Sequence, residues 1–350
     1  MSPTESSPVA NALREYAFWL ERELGDPRRI QAYRQAADVA AQHAGAHAAW
    51  TQPHHWQRLP KFGPSTAAFA TDIVQGRTPE RLASARARGA HALDPAGMEL
   101  RARLRGDLHV HTTWSDGGSP LWEMALTAEA LGHDYMAITD HSPRLRVANG
   151  LSPERLAAQW SELAEVQAER SIRLLRGIEV DILAGGELDQ AEHLLAATDV
   201  VVASVHSGLR DDAETMTRRL VTAIANPHTT VLGHCTGRKR RSDGSWREPS
   251  DFDADIVFGA CVMFGVAVEI NSRPERRDPP MDLLRCAHQA GCLFAIDTDA
   301  HAPGQLDFQT YGAARAAAAG IGADRIINSW DLDRLLAHSY RRRHAARYDD

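Results

Sequence analysis

The chain has 350 residues, 43% of them hydrophobic and 24% charged, enough to bury a core without disulfide or metal staples and close to average globular usage. Its longest apolar runs, such as VMFGVAVEI (262–270), fall well short of the roughly 20 residues a bilayer span needs, and MSPTESSPVANALREY has no basic-then-apolar leader, so neither membrane insertion nor secretion is expected and a cytoplasmic location is the default. The net charge of -7 is uneven: residues 1–105 hold 14 Lys+Arg against 10 Asp+Glu, whereas the remaining 245 carry -11, which argues against DNA binding there unless metal covers some of the acids.

In chain order, the first hundred residues read as helical. ANALREYAFWLERELG has apolar residues at helical spacing (Leu13, Tyr16, Ala17, Leu20), RIQAYRQAADVAAQHAG repeats the pattern, and STAAFATDIVQG and PERLASARA suggest two shorter helices. PHHWQRLPKFGPS between them is rich in helix breakers and reads as a loop.

From Gly106 onward, apolar strand and helix alternate. The strand candidates are DLHVHT, DYMAITDH, IRLLRGIEVDI, DVVVASVH, TVLGH, GVAVEIN and CLFAIDTDAH, separated by helical patterns such as LWEMALTAEALG, SPERLAAQWSELAEVQAER, ETMTRRLVTAIAN, DADIVFGACVMFG and MDLLRCAHQAG. Strands apolar on nearly every residue, each followed by a helix, imply a parallel sheet covered on its outer face, and seven such units suggest a closed barrel. An open doubly wound sheet is the alternative, but no GxGxxG follows the first strand. Residues 1–10 are read as a disordered lead, 11–100 as a small all-α domain, 104–340 as an α/β domain, a distorted (β/α)7 barrel, and 341–350 as a charged tail. The four cysteines, at 235, 261, 286 and 292, lack CxxC spacing and are expected to be buried thiols.

The polar residues of the second part fall at strand ends. His109 and His111 end the first strand, Asp140 and His141 the second, Glu179 the third, His206 and His234 the fourth and fifth, Glu269 and Asn271 the sixth, and Asp297, Asp299 and His301 the seventh. A lone His-x-His is expected by chance about once in a chain with this many histidines, so HVH by itself is weak. In a parallel barrel, however, all strand C-termini face one rim, and residues two apart on a strand share a face. Histidine and carboxylate without thiolate favour zinc, manganese or iron over calcium, and Glu179 is read as the carboxylate that bridges ions. Hydrolysis of a phosphate ester is the reaction such a cluster fits best. Asp140 and Asp297 are expected to orient ligating histidines, Asp116 lies in a turn (TTWSDGGS) that leaves its role open, and His133 and His288 lie away from strand ends as surface or packing residues.

The ordered set HVH at 109, SDG at 115, TDH at 139, GIEVDIL at 177, SVH at 204, GH at 233 and DAH at 299 resembles the PHP (polymerase and histidinol phosphatase) metal-dependent phosphoesterases, over about residues 104–330. The resemblance implies a distorted seven-stranded β/α barrel with three divalent ions, zinc, manganese or iron. One ion would take His109, His111, Glu179 and Asp299; a second would share Glu179 and take His206 and His234; the third would take Asp116, His141 and His301. Glu179, His206 and Asp299 would then carry the catalytic chemistry. GIEVDIL, LGHCTGRKRR, REPSDFD and VEINSRPERRD are most similar to the C-terminal PHP domain of bacterial family X DNA polymerases, and RIQAYRQAADV with LPKFGPSTAAFATDIVQG resembles their leading helix-hairpin-helix domain. Two departures stand out. No polymerase palm separates the two parts, so DNA synthesis is not expected. Lys61 and Ser65 also replace glycines of the hairpin pattern LPGIGKG, which puts phosphate contact by the hairpin backbone in doubt.

Arg238, just past His234 in GRKRR, is the candidate for gripping a substrate phosphate through its planar fork. The first functional reading is a phosphoesterase acting on DNA, as a 3′-5′ exonuclease or a 3′-end phosphatase. The alternative is a small-metabolite phosphomonoesterase of histidinol-phosphatase type. A non-catalytic scaffold ranks third, because all nine ligand positions are intact. The expected partner is the phosphate-ester substrate, with DNA ends in the first reading and no membrane.

Overall fold

A computed structural model describes residues 7–241 and 243–345. The chain divides into two compact units, residues 1–92 and 93–350, each with its own core.

The first unit is all helical: α1 Pro8–Arg22, α2 Pro27–Gln42, α3 Pro53–Trp56, α4 Pro64–Val74 and α5 Glu80–Gly89. Four of the five begin with proline at the first helical position, where a missing N–H costs nothing, and the Ser7 and Asp26 side chains accept from the backbone N–H of Ala10 and Arg29. Their apolar faces meet around Leu13, Tyr16, Tyr33, Trp56 and Phe69, with the Tyr16 and Tyr33 rings edge-on at 4.7 Å. The ordered chain starts earlier than expected: Ser7 caps α1, which includes Pro8, Val9 and Ala10, because Val9 and Ala10 are buried in this core, while residues 1–6 lie outside the described residues. In the hairpin before α4, Lys61 holds φ 68°, the left-handed conformation that a glycine adopts freely, and Gly63 caps the helix.

The second unit is built on seven parallel strands that pair in chain order: β1 Gly106–Val110, β2 Tyr135–Ile138, β3 Arg173–Asp181, β4 Val200–Ser204, β5 Val231–Leu232, β6 Ala267–Asn271 and β7 Leu293–Asp297. The strands are buried almost throughout, as expected of a parallel sheet covered by helices. The seam between β1 and β7 has one backbone bridge, Val110 to Ala300; below it the closure is made by acid side chains. Asp297 accepts from the Leu108 N–H at 2.9 Å and Asp107 from the Thr298 N–H at 3.2 Å, so each carboxylate stands in for a missing rung of the ladder.

The surrounding helices are α6 Met98–Arg101, α7 Leu121–Ala130, α8 Pro153–Gln167, α9 Glu192–Ala197, α10 Ala213–Ala225, α11 Ala254–Phe264, α12 Met281–Ala290, α13 Gln309–Ala318 and α14 Leu332–Ala345. The short α9 and the last two helices have no counterpart among the patterns read from sequence. Residues 93–100, expected with the helical domain, belong to this unit: Gly97 packs so closely on α13 that a Cβ there would lie 2.1 Å from the Thr310 carbonyl oxygen. The tail expected from 341 is helical as far as Ala345, and residues 346–350 lie outside the described residues. All four cysteines are free, and Cys286 is exposed, not buried, because it sits on the outer face of α12. No helix among the described residues is long and apolar enough to cross a membrane.

Candidate metal centre

The strand ends deliver their side chains in steps of two. His109 lies in β1 and His111 one residue past it; Glu179 lies in β3; His206, His234 and Asp299 each sit two residues beyond β4, β5 and β7, and His301 two further on. Even spacing keeps each of these on the inward face. His141 follows β2 and is bridged to the Glu179 backbone. Asp299 holds φ 52°, an uncommon conformation for a non-glycine residue, which turns its carboxylate into the bowl.

Glu179 stands at the centre. Its Oε1 lies 2.9 Å from His234 Nε2 and 3.4 Å from His206 Nε2, and its Oε2 lies 3.4 Å from His109 Nε2, 3.6 Å from His111 Nε2 and 2.8 Å from His141 Nδ1. Asp299 Oδ1 is 3.4 Å from His111 Nε2. Asp116 Oδ1 is 3.5 Å from His141 Nε2 and 3.3 Å from His301 Nε2, so this turn residue joins the cluster. All nine positions thus converge. Donor atoms of eight of them make three overlapping groups, one of His111, Asp116, His141 and His301, one of His109, His111 and Asp299, and one of His141, Glu179 and His206, within which ligand atoms lie no more than 4.8 Å apart; His234 joins through Glu179 Oε1.

The donor atoms also pass a test for metal. His109 Nε2, both nitrogens of His111, His141 Nδ1, Glu179 Oε2 and His206 Nε2 are buried with no hydrogen-bond partner. A buried polar atom left unpaired costs about 1–3 kcal/mol, so unpaired donor atoms on five neighbouring side chains suit bound cations. Burial and the neighbouring His301 and His141 hold the His111 imidazole well below its ordinary pKa, which keeps its lone pairs available. Burial alone would raise Asp299, but Arg276, 2.7 Å from its Oδ2, holds that carboxyl well below the usual range.

The groups that orient the histidines differ from the expected ones. Glu269 accepts from His109 Nδ1 at 2.6 Å and from the His234 N–H at 2.6 Å, and Asp181 accepts from His206 Nδ1. Arg273 donates to His301 Nδ1 at 2.8 Å and to the Asp299 carbonyl at 2.8 Å. Asp140 touches no histidine ring: it accepts from the Thr112 N–H at 2.8 Å, the Ser115 N–H at 3.2 Å and Gln159 Nε2 at 2.6 Å, pinning the turn that carries Asp116. Asp297 is spent on the β1–β7 seam and on Asn328 Nδ2 at 2.8 Å. Asp181 was legible in principle, two residues from Glu179 on the same strand face. His133 is buried as a packing residue, its Nε2 2.8 Å from an Arg101 amino group.

Above the cluster lies a cavity of about 330 Å³. Its wall includes the apolar Leu145, Val147 and Leu209 and the cationic Lys239, Arg247, Arg273 and Arg276. Arg238 is not on that wall. Residues 239–241 and 245–247 pair antiparallel, with Arg240 bridged to Trp246 and the Arg247 N–H donating to the Lys239 carbonyl at 2.7 Å. Strand alternation sends Lys239 and Arg247 into the bowl and Arg238 to the opposite face, its guanidinium 4.0 Å from the Trp246 ring centroid.

Residues 107–234 match the PHP domain family, and residues 5–79 match a helix-hairpin-helix domain family. The chain is 37% identical over 231 residues to the DNA polymerase/3′-5′ exonuclease PolX of Bacillus subtilis, a match covering 66% of this chain and 40% of that protein. It therefore spans less than half the length of this relative. A probable phosphatase of Thermoanaerobacter sp. strain X514 is 27% identical over 236 residues, covering 64% of this chain and 89% of the relative. The crystal structure of histidinol phosphate phosphatase from Lactococcus lactis, complexed with zinc, L-histidinol and phosphate, aligns with 69% of this chain and 93% of its own at 16% identity and a TM-score of 0.41.

Proposed function

This chain carries a PHP domain behind a helix-hairpin-helix domain, and on that footing we propose that it is a metal-dependent phosphoesterase that acts on DNA ends, as a 3′-5′ exonuclease or a 3′-end phosphatase. The observation that carries the phosphoesterase reading is the gathering of eight ligand-type side chains into three overlapping groups, with His234 joined through Glu179 and with buried donor atoms that no hydrogen bond uses. His109, His111, Glu179 and Asp299 would hold one divalent ion, Glu179, His206 and His234 a second, and Asp116, His141 and His301 a third. When bound, such ions supply Lewis acidity toward a phosphoryl oxygen and acidify water.

The chain's own groups do the rest. Glu269 and Asp181 fix the tautomers of His109 and His206 so that each Nε2 lone pair faces inward. Glu179, reached by imidazoles on both oxygens, would be the carboxylate shared between two of the ions. Arg273 and Arg276, beside Asp299, add positive charge where a phosphate would arrive. Divalent ions held by the cluster would neutralise its acids, which softens the objection to a polyanionic substrate from the -11 charge of this part of the chain.

Three observations support DNA over a metabolite: the 37% identity to a protein named as a polymerase and 3′-5′ exonuclease, the helix-hairpin-helix domain, and the left-handed turn that Lys61 keeps in that domain's hairpin. The second reading, a small-metabolite phosphatase, is favoured by the similarity to probable phosphatases along most of their length. One assay separates them. The purified full chain with Mn²⁺ is given 3′-labelled single-stranded DNA, 3′-phosphorylated DNA, and a panel of sugar and amino-alcohol phosphates. Release from either DNA is the expected result; release from the metabolite panel alone would overturn the DNA reading.

A further inference from the structure

The two cationic side chains that the 239–247 hairpin turns into the bowl stand apart from the metal cluster's own support. Arg273 is taken by Glu275 at 2.9 Å and Arg276 by Asp299 at 2.7 Å. Lys239 and Arg247 have no carboxylate partner among the described residues, although they face each other directly across the hairpin. Like charges opposed on one sheet face destabilise it, and the carboxylates that act on them, Asp299 and Glu275 on Lys239 and Asp278 on Arg247, do so without a direct ion pair. Burial, and after it the charges of Arg276 and Arg273, lowers the Lys239 ammonium below its ordinary pKa, against the pull of Asp299 and Glu275. Arg247 is braced, not floppy: its Nε donates to the Gly237 carbonyl at 2.8 Å, and one amino group donates to the same oxygen, leaving the other edge of the guanidinium for a ligand.

Leu145, Val147 and Leu209 line the same cavity, and Val147 is 95% exposed, so its side chain is open to a ligand there. A volume of about 330 Å³ admits one nucleotide-sized group.

We propose that Lys239 and Arg247 form a second anion subsite, so that the substrate carries a further phosphate beside the scissile one, with a planar apolar group such as a nucleobase against Leu145, Val147 and Leu209. The proposal rests on the phosphoesterase reading and narrows its substrate class to nucleotides with two phosphates on one sugar or across one phosphodiester. A metabolite with a single phosphate would leave the subsite unused.

The test compares adenosine 3′,5′-bisphosphate with adenosine 3′- and 5′-monophosphate as substrates of the full chain with Mn²⁺, alongside p-nitrophenyl phosphate. KM for the bisphosphate is expected to be about tenfold below that of either monophosphate, as one added charge-assisted contact would give. In Lys239→Ala and Arg247→Ala this advantage collapses, and in Lys239→Arg most of it returns. Equal KM values for bisphosphate and monophosphates, or variants that shift all substrates together, would overturn the subsite. If the wild-type chain cleaves none of the four, the phosphoesterase reading fails instead. Calorimetric Kd values for the same nucleotides then decide the subsite, with equal values overturning it.

Discussion

Glu269 accepts a hydrogen bond from His109 Nδ1 at 2.6 Å, and both side chains are wholly buried, so the His109 tautomer is set by a residue that lies outside the nine converging ligand positions. Replacing Glu269 by Gln keeps the volume and removes the charge. Metal affinity is expected to fall about 10–100-fold, the usual cost of losing such a partner, with phosphatase activity regained at excess Mn²⁺. Metal titration of the purified variant checks this, and an unchanged affinity would mean that Glu269 does not act through His109.

Lys61 pays a backbone penalty for its φ of 68°. The left-handed conformation costs a non-glycine residue about 1–2 kcal/mol, and the extra chain entropy of glycine offsets about 0.5–1 kcal/mol of the relief. Lys61→Gly should therefore raise stability by about 0.5–1 kcal/mol, read as a higher urea midpoint with an unchanged slope. A lower midpoint would show that the Lys61 side chain contributes more than its backbone costs.

Burial, and after it the Arg101 charge, pushes His133 down to about 3 from 6.5. Its Nε2 accepts from Arg101, and its Nδ1 has no partner, so only the neutral ring fits. The folded pKa is depressed, so the unfolded chain takes up this proton first and stability is lost as pH falls below 6.5. The loss attributable to this group is about 2 kcal/mol by about pH 5. Urea unfolding of wild type and His133→Gln at both pH values should show a shallower pH dependence in the variant. Parallel curves would remove His133 as a cause of acid lability.

Arg238 faces Trp246, away from the bowl. Arg238→Ala is expected to leave KM for a phosphate ester unchanged while removing one cation–π contact between half-buried side chains, worth about 1 kcal/mol. A large rise in KM would return Arg238 to the substrate.

The barrel was legible because a parallel sheet writes its strands as unbroken apolar runs, and the cluster because every strand end carried a ligand-type residue. VVVAS and AVEIN became β4 and β6 where the runs stood. What escaped was set by direction, not by composition. Asp140 and Asp297 look like orienting acids by position, yet backbone N–H groups from neighbouring segments claim them. Arg238 and Lys239 are adjacent in GRKRR, and only the pairing of Arg240 with Trp246 decides which enters the bowl. The ordered start at Pro8 depended on a core that the local sequence does not display. Asp116, whose role its turn left open, reaches His141 and His301 from a loop that Asp140 holds.

The most direct measurement is the steady-state rate of p-nitrophenyl phosphate hydrolysis by the full chain and by its His109→Ala/His111→Ala double variant, both shown folded by their melting curves and both assayed with Mn²⁺ and with a chelator. These two imidazoles lie 3.4 and 3.6 Å from Glu179 Oε2 at the base of the cluster. Turnover by the wild type with Mn²⁺, abolished by the chelator and by the double substitution, is the expected result. Equal turnover by the double variant with the chelator present would contradict a metal-dependent phosphoesterase at this site.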